Sequence, residues 1–159
     1  MSVTSVHKDP EARTMTITEQ FDASVDRVWQ LWADPRRLER WWGPPTHPAT
    51  VVEHDLRPGG KVSYYVTGPE GDRSPGWWHV LAVDPPHGLE FDLGDPRIPT
   101  VAVRVGVRER AEGGTRMSLE LAFPSNEAME LLISMGFEQG MSTAVGQAGD
   151  LLRADAGPR

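Results

Sequence analysis

The chain alternates apolar and polar residues over several short stretches. In "TMTITEQF", residues 14–21, Met15, Ile17 and Phe21 share one face with Glu19, while threonines and Gln20 occupy the other. This is the period of a half-buried strand. Six further runs of this kind lie in residues 49–123, joined by turn segments such as "LRPGG", "DPPHG" and "RAEGG". The pattern predicts seven strands in an antiparallel meander.

Two short helices are predicted between the first and second of these strands. The first carries one apolar stripe at i, i+3, i+4 and i+7, and Asp22 or Ser24 can cap it. The second begins at Asp34-Pro35, because Asp is a good cap and Pro suits the first helical position. Gly43-Pro44-Pro45 ends it. The apolar positions of the two helices are Val25, Val28, Trp29 and Trp32, then Leu38, Trp41 and Trp42.

The C-terminal segment predicts one long helix that Ser125 can cap. Its apolar residues keep a helical period at Phe137, Met141, Ala144, Val145, Ala148 and Leu152. The same segment holds Gly136, Gly140, Gly146 and Gly149. Each glycine inside a helix costs roughly 0.8–1.0 kcal/mol relative to alanine. We infer that the glycines leave side-chain volume empty between this helix and the sheet.

Four motifs occur in a characteristic order along the chain: Val-Trp followed by Trp and Asp-Pro, then Trp-Trp-Gly-Pro, Arg-Pro-Gly-Gly and Asp-Pro-Pro. With the order of elements, they resemble the START-like, or SRPBCC, superfamily. Within it, the chain is similar to the family named after the C-terminal domain of the activator of the 90-kDa heat-shock-protein ATPase, whose relatives include polyketide cyclases and aromatases. The resemblance covers about Thr14 to Leu152. It differs at Gly140-Met141, where relatives often have Gly-Trp.

The resemblance implies an α+β helix-grip fold. In this fold a seven-stranded antiparallel sheet wraps a long C-terminal helix, with two short helices after the first strand, and the cavity between them commonly holds apolar small molecules. We expect a flexible N-terminal arm over residues 1–13, a single START-like domain over 14–152 and a loose C-terminal tail over 153–159.

Composition narrows the classes of function. The 159 residues carry a formal net charge of -7, which disfavours a nucleic-acid surface. Cysteine is absent from the sequence, which excludes disulfides and thiolate metal sites. The histidines and carboxylates lack metal-site spacing, and neither a P-loop nor a dinucleotide-binding motif occurs, so we expect no metal and no cofactor. No signal peptide or membrane span is recognisable, and we expect a cytoplasmic protein.

Two pairs of adjacent tryptophans are the main candidates for contacts with a ligand or a partner. Trp41 and Trp42 are about 100° apart on a helix, so one packs inward, and we assign Trp42 to the cavity mouth. Trp77 and Trp78 must point to opposite faces of a strand. One of them therefore faces away from the helices, which suggests a partner surface, with a homodimer as the simplest partner.

Three polar residues are candidates for proton transfer, each with a structural alternative. Glu19 interrupts an apolar row, which is typical either of a perturbed general base or of a strand end open to water. His54 and His79 lie in strands among apolar residues and are either acid–base groups or hydrogen-bonded structural histidines.

These observations leave three hypotheses. The first is a binding protein for a small, mostly apolar molecule, aromatic or lipid-like. The second is a cyclase or aromatase that uses the same cavity with Glu19, His54 or His79. The third is a stress-related or chaperone-associated interaction protein with a closed interior. The residues predicted to bind the ligand are Trp42, Pro45, His54, Tyr64, Trp78, Phe91, Val103, Phe137, Met141 and Val145.

Overall fold

Eight strands and four helices make up the part of the chain that the computed structural model describes, which is residues 4–43 and 45–156. The N-terminal half contains β1 (Thr4–Asp9), β2 (Thr14–Phe21), α1 (Val25–Ala33), α2 (Pro35–Trp41), β3 (Ala49–His54) and β4 (Lys61–Thr67). The C-terminal half contains β5 (Arg73–Asp84), β6 (Gly88–Asp95), β7 (Ile98–Glu109), β8 (Thr115–Ala122), α3 (Asn126–Ser134) and α4 (Phe137–Ala156).

The strands form one antiparallel sheet in the order β1-β2-β8-β7-β6-β5-β4-β3. The predicted antiparallel α+β architecture is confirmed, but the predicted count of seven strands is wrong. The additional strand is β1, which lies in the residues predicted to form a flexible arm and pairs with β2. Val6 packs against the core opposite Ile17, and Lys8 forms an ion pair with Glu138 of α4 at 2.7 Å. An edge strand with so few apolar residues gives little signal in the sequence.

One face of the sheet is buried and the other is exposed to solvent. Four valines of β7 are buried, whereas Arg104 and Arg108, on the opposite face of the strand, are exposed; the valines are Val101, Val103, Val105 and Val107. The buried face packs against α1 and α4. This alternation confirms the one-sided sheet that the sequence predicts.

The predicted single C-terminal helix is divided into α3 and α4 at Met135–Gly136. Gly136 has a φ of 87°, a left-handed conformation that glycine adopts without strain. The amide of Met135 donates to Leu131 O at 3.1 Å, and that of Gly136 donates to Ile133 O at 3.0 Å. These bonds end α3, and α4 begins at Phe137. Ser125 caps α3, as predicted, by accepting from the amide of Ala128 at 3.0 Å.

Helix α4 continues through Ala156, so residues 153–156 of the predicted C-terminal tail are helical. Residues 157–159 lie outside the described residues, as does Pro44 of the "GPP" segment. Among the described helices, none is long and apolar enough to cross a membrane.

Candidate functional site

A cleft of about 280 Å³ lies between the end of the sheet and the junction of α3 with α4. Strands β4, β5 and β6 and the β6–β7 hairpin form one side, and α3, α4 and the end of α2 form the other. Most of its lining residues are apolar: Trp42, Tyr64, Val66, Leu93, Ile98, Leu132, Met135, Phe137, Met141 and Ala144. Ser74, Asp95 and Arg97 are the polar side chains at its edge.

Trp42 forms an aromatic wall of this cleft. It follows α2 as an extended C-cap residue, so its side chain leaves the direction of the helix. Trp41 is fully buried and donates from Nε1 to Leu31 O at 2.9 Å, whereas Trp42 is 5% exposed and lines the cleft. The Trp42 ring lies 5.0 Å from that of Trp78 and 6.1 Å from that of Tyr64, in edge-to-face arrangements. One indole is therefore anchored and the other is available to the cleft.

The segment after α2 is fixed to α4 by one side chain. Gln147 Nε2 donates to Gly43 O at 2.6 Å and to Trp41 O at 3.2 Å. Both carbonyls flank Trp42 in the chain. Gln147 thus holds Trp42 in position at the wall.

Two glycines widen the cleft on the helical side. A Cβ added at Gly136 or Gly140 meets no heavy atom within 4 Å, and both residues line the cleft. Because Gly140 lies in the first turn of α4, an ordinary side chain there would extend into this space. Gly146 is equally open but does not line the cleft.

The polar edge of the cleft is an ion pair in the β6–β7 hairpin. Arg97 donates from Nε to Asp95 Oδ1 at 3.0 Å and from Nη2 to Oδ2 at 2.7 Å, and its amide also donates to Oδ1 at 2.8 Å. Burial by itself raises the pKa of Asp95, but the hydrogen bonds and charge of Arg97 outweigh it and lower that pKa. The hydrogen bond to Asp95 raises the pKa of Arg97. Both groups are therefore charged near neutral pH.

Tyr64 lies between this ion pair and the aromatic wall. Burial, with a smaller contribution from the charge of Asp95, raises the pKa of its hydroxyl to about 12. Interaction with the indoles of Trp42 and Trp78 opposes the rise. The hydroxyl is therefore protonated over the whole physiological range.

Four of the predicted ligand-binding residues, Trp42, Tyr64, Phe137 and Met141, meet in this cleft. The structure places others deeper: Trp78, Phe91, Val103 and Val145 are at most 1% exposed and do not line it. Pro45 is exposed beyond the end of α2, also outside the lining.

The three polar candidates do not line the cleft either. His54 is half-buried, with Nε2 2.9 Å from Trp32 O, which is the structural alternative. His79 is exposed on the outer face of β5. Glu19 is 1% exposed, so the expectation of a strand end open to water is wrong. In the sheet, Glu19 is paired with Thr4 of β1 on one side and with Met117 of β8 on the other. Strand β2 is therefore an interior strand.

Asp95 and Arg97 were not predicted as site residues from the sequence. The segment "GDPRIP" offered a signal, because Asp-Pro-Arg favours a tight turn in which the aspartate accepts from the backbone two residues on. The position of this segment opposite Tyr64 follows only from the pairing of β4 with β5 and of β5 with β6. Within the described residues, no group of three or more histidine, aspartate or glutamate side chains is suited to a metal ion.

An antiparallel sheet wrapped around a long C-terminal helix, with two short helices after β2, is the helix-grip fold of START-like proteins. Residues 22–152 match the family described as activator of Hsp90 ATPase homolog 1-like protein, and the chain belongs to that family. The predicted resemblance is thereby confirmed. No match was found among curated proteins.

Solved structures agree with this assignment. Protein Ms6760 from Mycobacterium smegmatis is 44% identical, with a TM-score of 0.85, over 96% of this chain and 99% of that chain. A protein from Arthrobacter aurescens is 42% identical, with a TM-score of 0.90, over 94% of this chain and 91% of that chain. CalU16 from Micromonospora echinospora is 26% identical, with a TM-score of 0.64, over 98% of this chain and 76% of that chain.

Proposed function

We propose that the protein binds a small, mostly apolar molecule in the cleft between the sheet end and the α3–α4 junction. The observation that carries this proposal is the empty space in front of Gly136 and Gly140, bounded by Trp42, Phe137 and Met141. Ligand sites are typically concave and mostly apolar, with a few polar groups that orient the ligand. The cleft has this composition.

The glycine at position 140 supports a binding role more directly than the apolar lining does. A helical glycine is unfavourable relative to alanine by roughly 0.8–1.0 kcal/mol. Nothing packs close to Gly140 that would forbid a side chain, so the structure gives no steric reason for it. Gly146 is equally open outside the lining, so the support comes from the position of Gly140 in the cleft, where open volume is available to a ligand.

The enzymatic alternative lacks its predicted acid–base residues in the cleft, because Glu19, His54 and His79 lie away from the cleft lining.

The interaction alternative keeps one supporting feature, the outer face of β5. Trp77 is 37% exposed there and stands over Gly94 on β6, and Leu81 is exposed on the same strand. A homodimer through this face stays a prediction.

Native mass spectrometry of freshly purified protein tests the binding proposal. If the measured mass exceeds that of the chain, the bound molecule is released by denaturation and identified. Gly140→Leu fills the cleft, while Gly146→Leu makes the same change on the same helix outside the lining. Both variants gain similar helix propensity, so they differ mainly in the cleft.

We expect a co-purifying apolar molecule in the unmodified protein and in Gly146→Leu, and its loss in Gly140→Leu. For protein that purifies empty, the same comparison is made after incubation with a panel of apolar ring compounds. Retention of a bound compound by Gly140→Leu, or no binding of any compound by the unmodified protein, would contradict the proposal.

A further inference from the structure

Met135 is the one exposed methionine in the part of the chain that the structure describes. It is 55% exposed, whereas the other described methionines are at most 8% exposed: Met15, Met117, Met129 and Met141. A peroxide dissolved in water reaches an exposed thioether more readily than a buried one, so exposure ranks the methionines by their rate of oxidation. Met135 is therefore the first target of an oxidant.

The buried methionines are also protected by packing, because all four belong to the hydrophobic core. Met117 shows this most directly. Its sulfur accepts a hydrogen bond from Trp32 Nε1, with 3.2 Å between the two atoms. An oxygen added to a buried sulfur needs volume and hydrogen-bond partners that a packed core does not supply. Oxidation of these methionines therefore requires the core to open.

The backbone at Met135 tolerates a change in its side chain. Met135 is the C-cap residue of α3, and its amide donates to Leu131 O and Leu132 O, each at 3.1 Å. These bonds involve main-chain atoms only. A modified side chain at position 135 therefore leaves the end of α3 intact.

The same side chain forms part of the cleft. Met135 lines it together with Leu132, Gly136 and Phe137, all without a polar side chain. A residue that is both exposed and part of the lining lies where the cleft meets solvent. A change in polarity at position 135 therefore alters the surface that an apolar molecule meets on entry.

Oxidation converts this apolar group into a polar one. The Met135 sulfur attacks one oxygen of hydrogen peroxide, the O–O bond breaks, and the second oxygen leaves as water with the proton of the first. The sulfur loses two electrons, the peroxide gains them, and the product is a sulfoxide. The sulfoxide oxygen accepts hydrogen bonds from water, and an apolar molecule that covers it removes this water without supplying a donor. Binding of an apolar molecule is then less favourable.

We propose, on the basis of the proposed function, that Met135 is a reversible oxidation site at the mouth of the cleft, and that its sulfoxide lowers the affinity of the cleft for apolar molecules. The oxidant is a peroxide. Methionine sulfoxide reductases restore the thioether, with one enzyme for each sulfoxide epimer.

Peptide mapping and titration calorimetry test the site and its effect separately. The folded protein is treated with increasing amounts of hydrogen peroxide, and mass spectrometry after proteolysis quantifies the sulfoxide at each methionine. At each step the affinity for 2-acetylnaphthalene, an uncharged two-ring compound, is measured. Met135→Leu is the matched control, because it keeps an apolar side chain at this position and removes the sulfur that reacts.

We expect sulfoxide at Met135 before any other described methionine. The affinity should fall about tenfold in proportion to the Met135 sulfoxide, because the hydrated oxygen is covered by the bound compound. Treatment with both reductases and a thiol should restore it. In Met135→Leu, peroxide should leave the variant's own affinity as it was before treatment.

Three results would overturn the inference and leave the binding function standing. They are earlier oxidation of Met129 or Met141, equal affinities before and after oxidation of Met135, and an equal loss of affinity in peroxide-treated Met135→Leu. If the unoxidised protein does not bind, the binding function fails and this inference fails with it.

Discussion

The ring of Tyr64 occupies the space that a side chain at Gly76 would need. The two residues are paired directly across β4 and β5, and a Cβ at Gly76 would lie 2.6 Å from both Cζ and Oη of the tyrosine. Gly76 is therefore a determinant of the cleft, because it lets Tyr64 lie flat against the sheet beside Trp42.

Gly76→Ala is expected to displace Tyr64 and to lower the free energy of unfolding by about 1–3 kcal/mol, since an added methyl in a packed site forces strain. Urea denaturation measures the change, and near-ultraviolet circular dichroism reports the tyrosine environment. Gly88→Ala is the control, because a Cβ there meets atoms at ordinary distances of 3.7 and 3.8 Å. Equal stability of the two variants would contradict the steric role of Gly76.

The raised pKa of Tyr64 predicts a loss of stability at high pH. Its hydroxyl ionises near 10.0 in the unfolded chain and near 12 in the folded protein. The contribution is fully present below pH 10 and is lost as the pH rises toward 12, because only the unfolded state releases the proton in that window. In this window the free energy of unfolding falls by about 1.4 kcal/mol per pH unit.

This pH dependence is measured as the difference in unfolding free energy between the unmodified protein and Tyr64→Phe from pH 9 to 12. In Tyr65→Phe, the absorbance of ionised tyrosine reports Tyr64 alone, since the chain has two tyrosines. A midpoint near 10 in the folded variant would show that Tyr64 is not buried as described.

Loss of Gln147 is expected to loosen the Trp42 wall. Gln147→Ala removes the donor to Gly43 O and Trp41 O, and should lower the unfolding free energy by about 1–3 kcal/mol. Gln139→Ala, at an exposed position of the same helix, is the control and should be nearly neutral. We also expect a shift in tryptophan fluorescence for Gln147→Ala alone. If both variants match the unmodified protein, Gln147 does not hold this segment.

The edge of β3 is bonded by side chains from α2. Glu39 Oε1 accepts from the Val51 amide at 2.9 Å, and Arg36 Nη2 donates to Val51 O at 3.1 Å. Glu39→Ala should lower the free energy of unfolding by about 1–3 kcal/mol. It should also promote association between copies of the chain, because it exposes an unpaired strand edge. Glu130→Ala, at an exposed position of α3, is the control. Light scattering after mild heating should rise for Glu39→Ala and not for Glu130→Ala. Equal scattering by the two variants would contradict a role of Glu39 in covering the β3 edge.

The sequence predicts the elements whose pattern is local. The alternation in β7 and β8 and the helical stripe of α1 identify their buried faces, and the adjacency of Trp41 and Trp42 requires them to diverge. The break at Gly136 was not predictable, since four glycines in one segment do not reveal which takes a positive φ. Tyr64, Asp95 and Arg97 meet only through the pairing of three strands, a long-range relation that residue spacing does not encode. Strand β1 escaped prediction because its polar residues resemble a loose arm.

Ligand binding in the cleft is tested most directly by following the tryptophan indole N–H signals with ¹H–¹⁵N NMR during titration with 2-acetylnaphthalene. The six signals are assigned by single Trp→Phe replacements. We expect the Trp42 signal to shift in a saturable manner, with that of Trp77 on the outer face unchanged. A shift of Trp77 without Trp42 would place binding on the outer face, and no saturable shift at Trp42 would contradict a ligand site in the cleft.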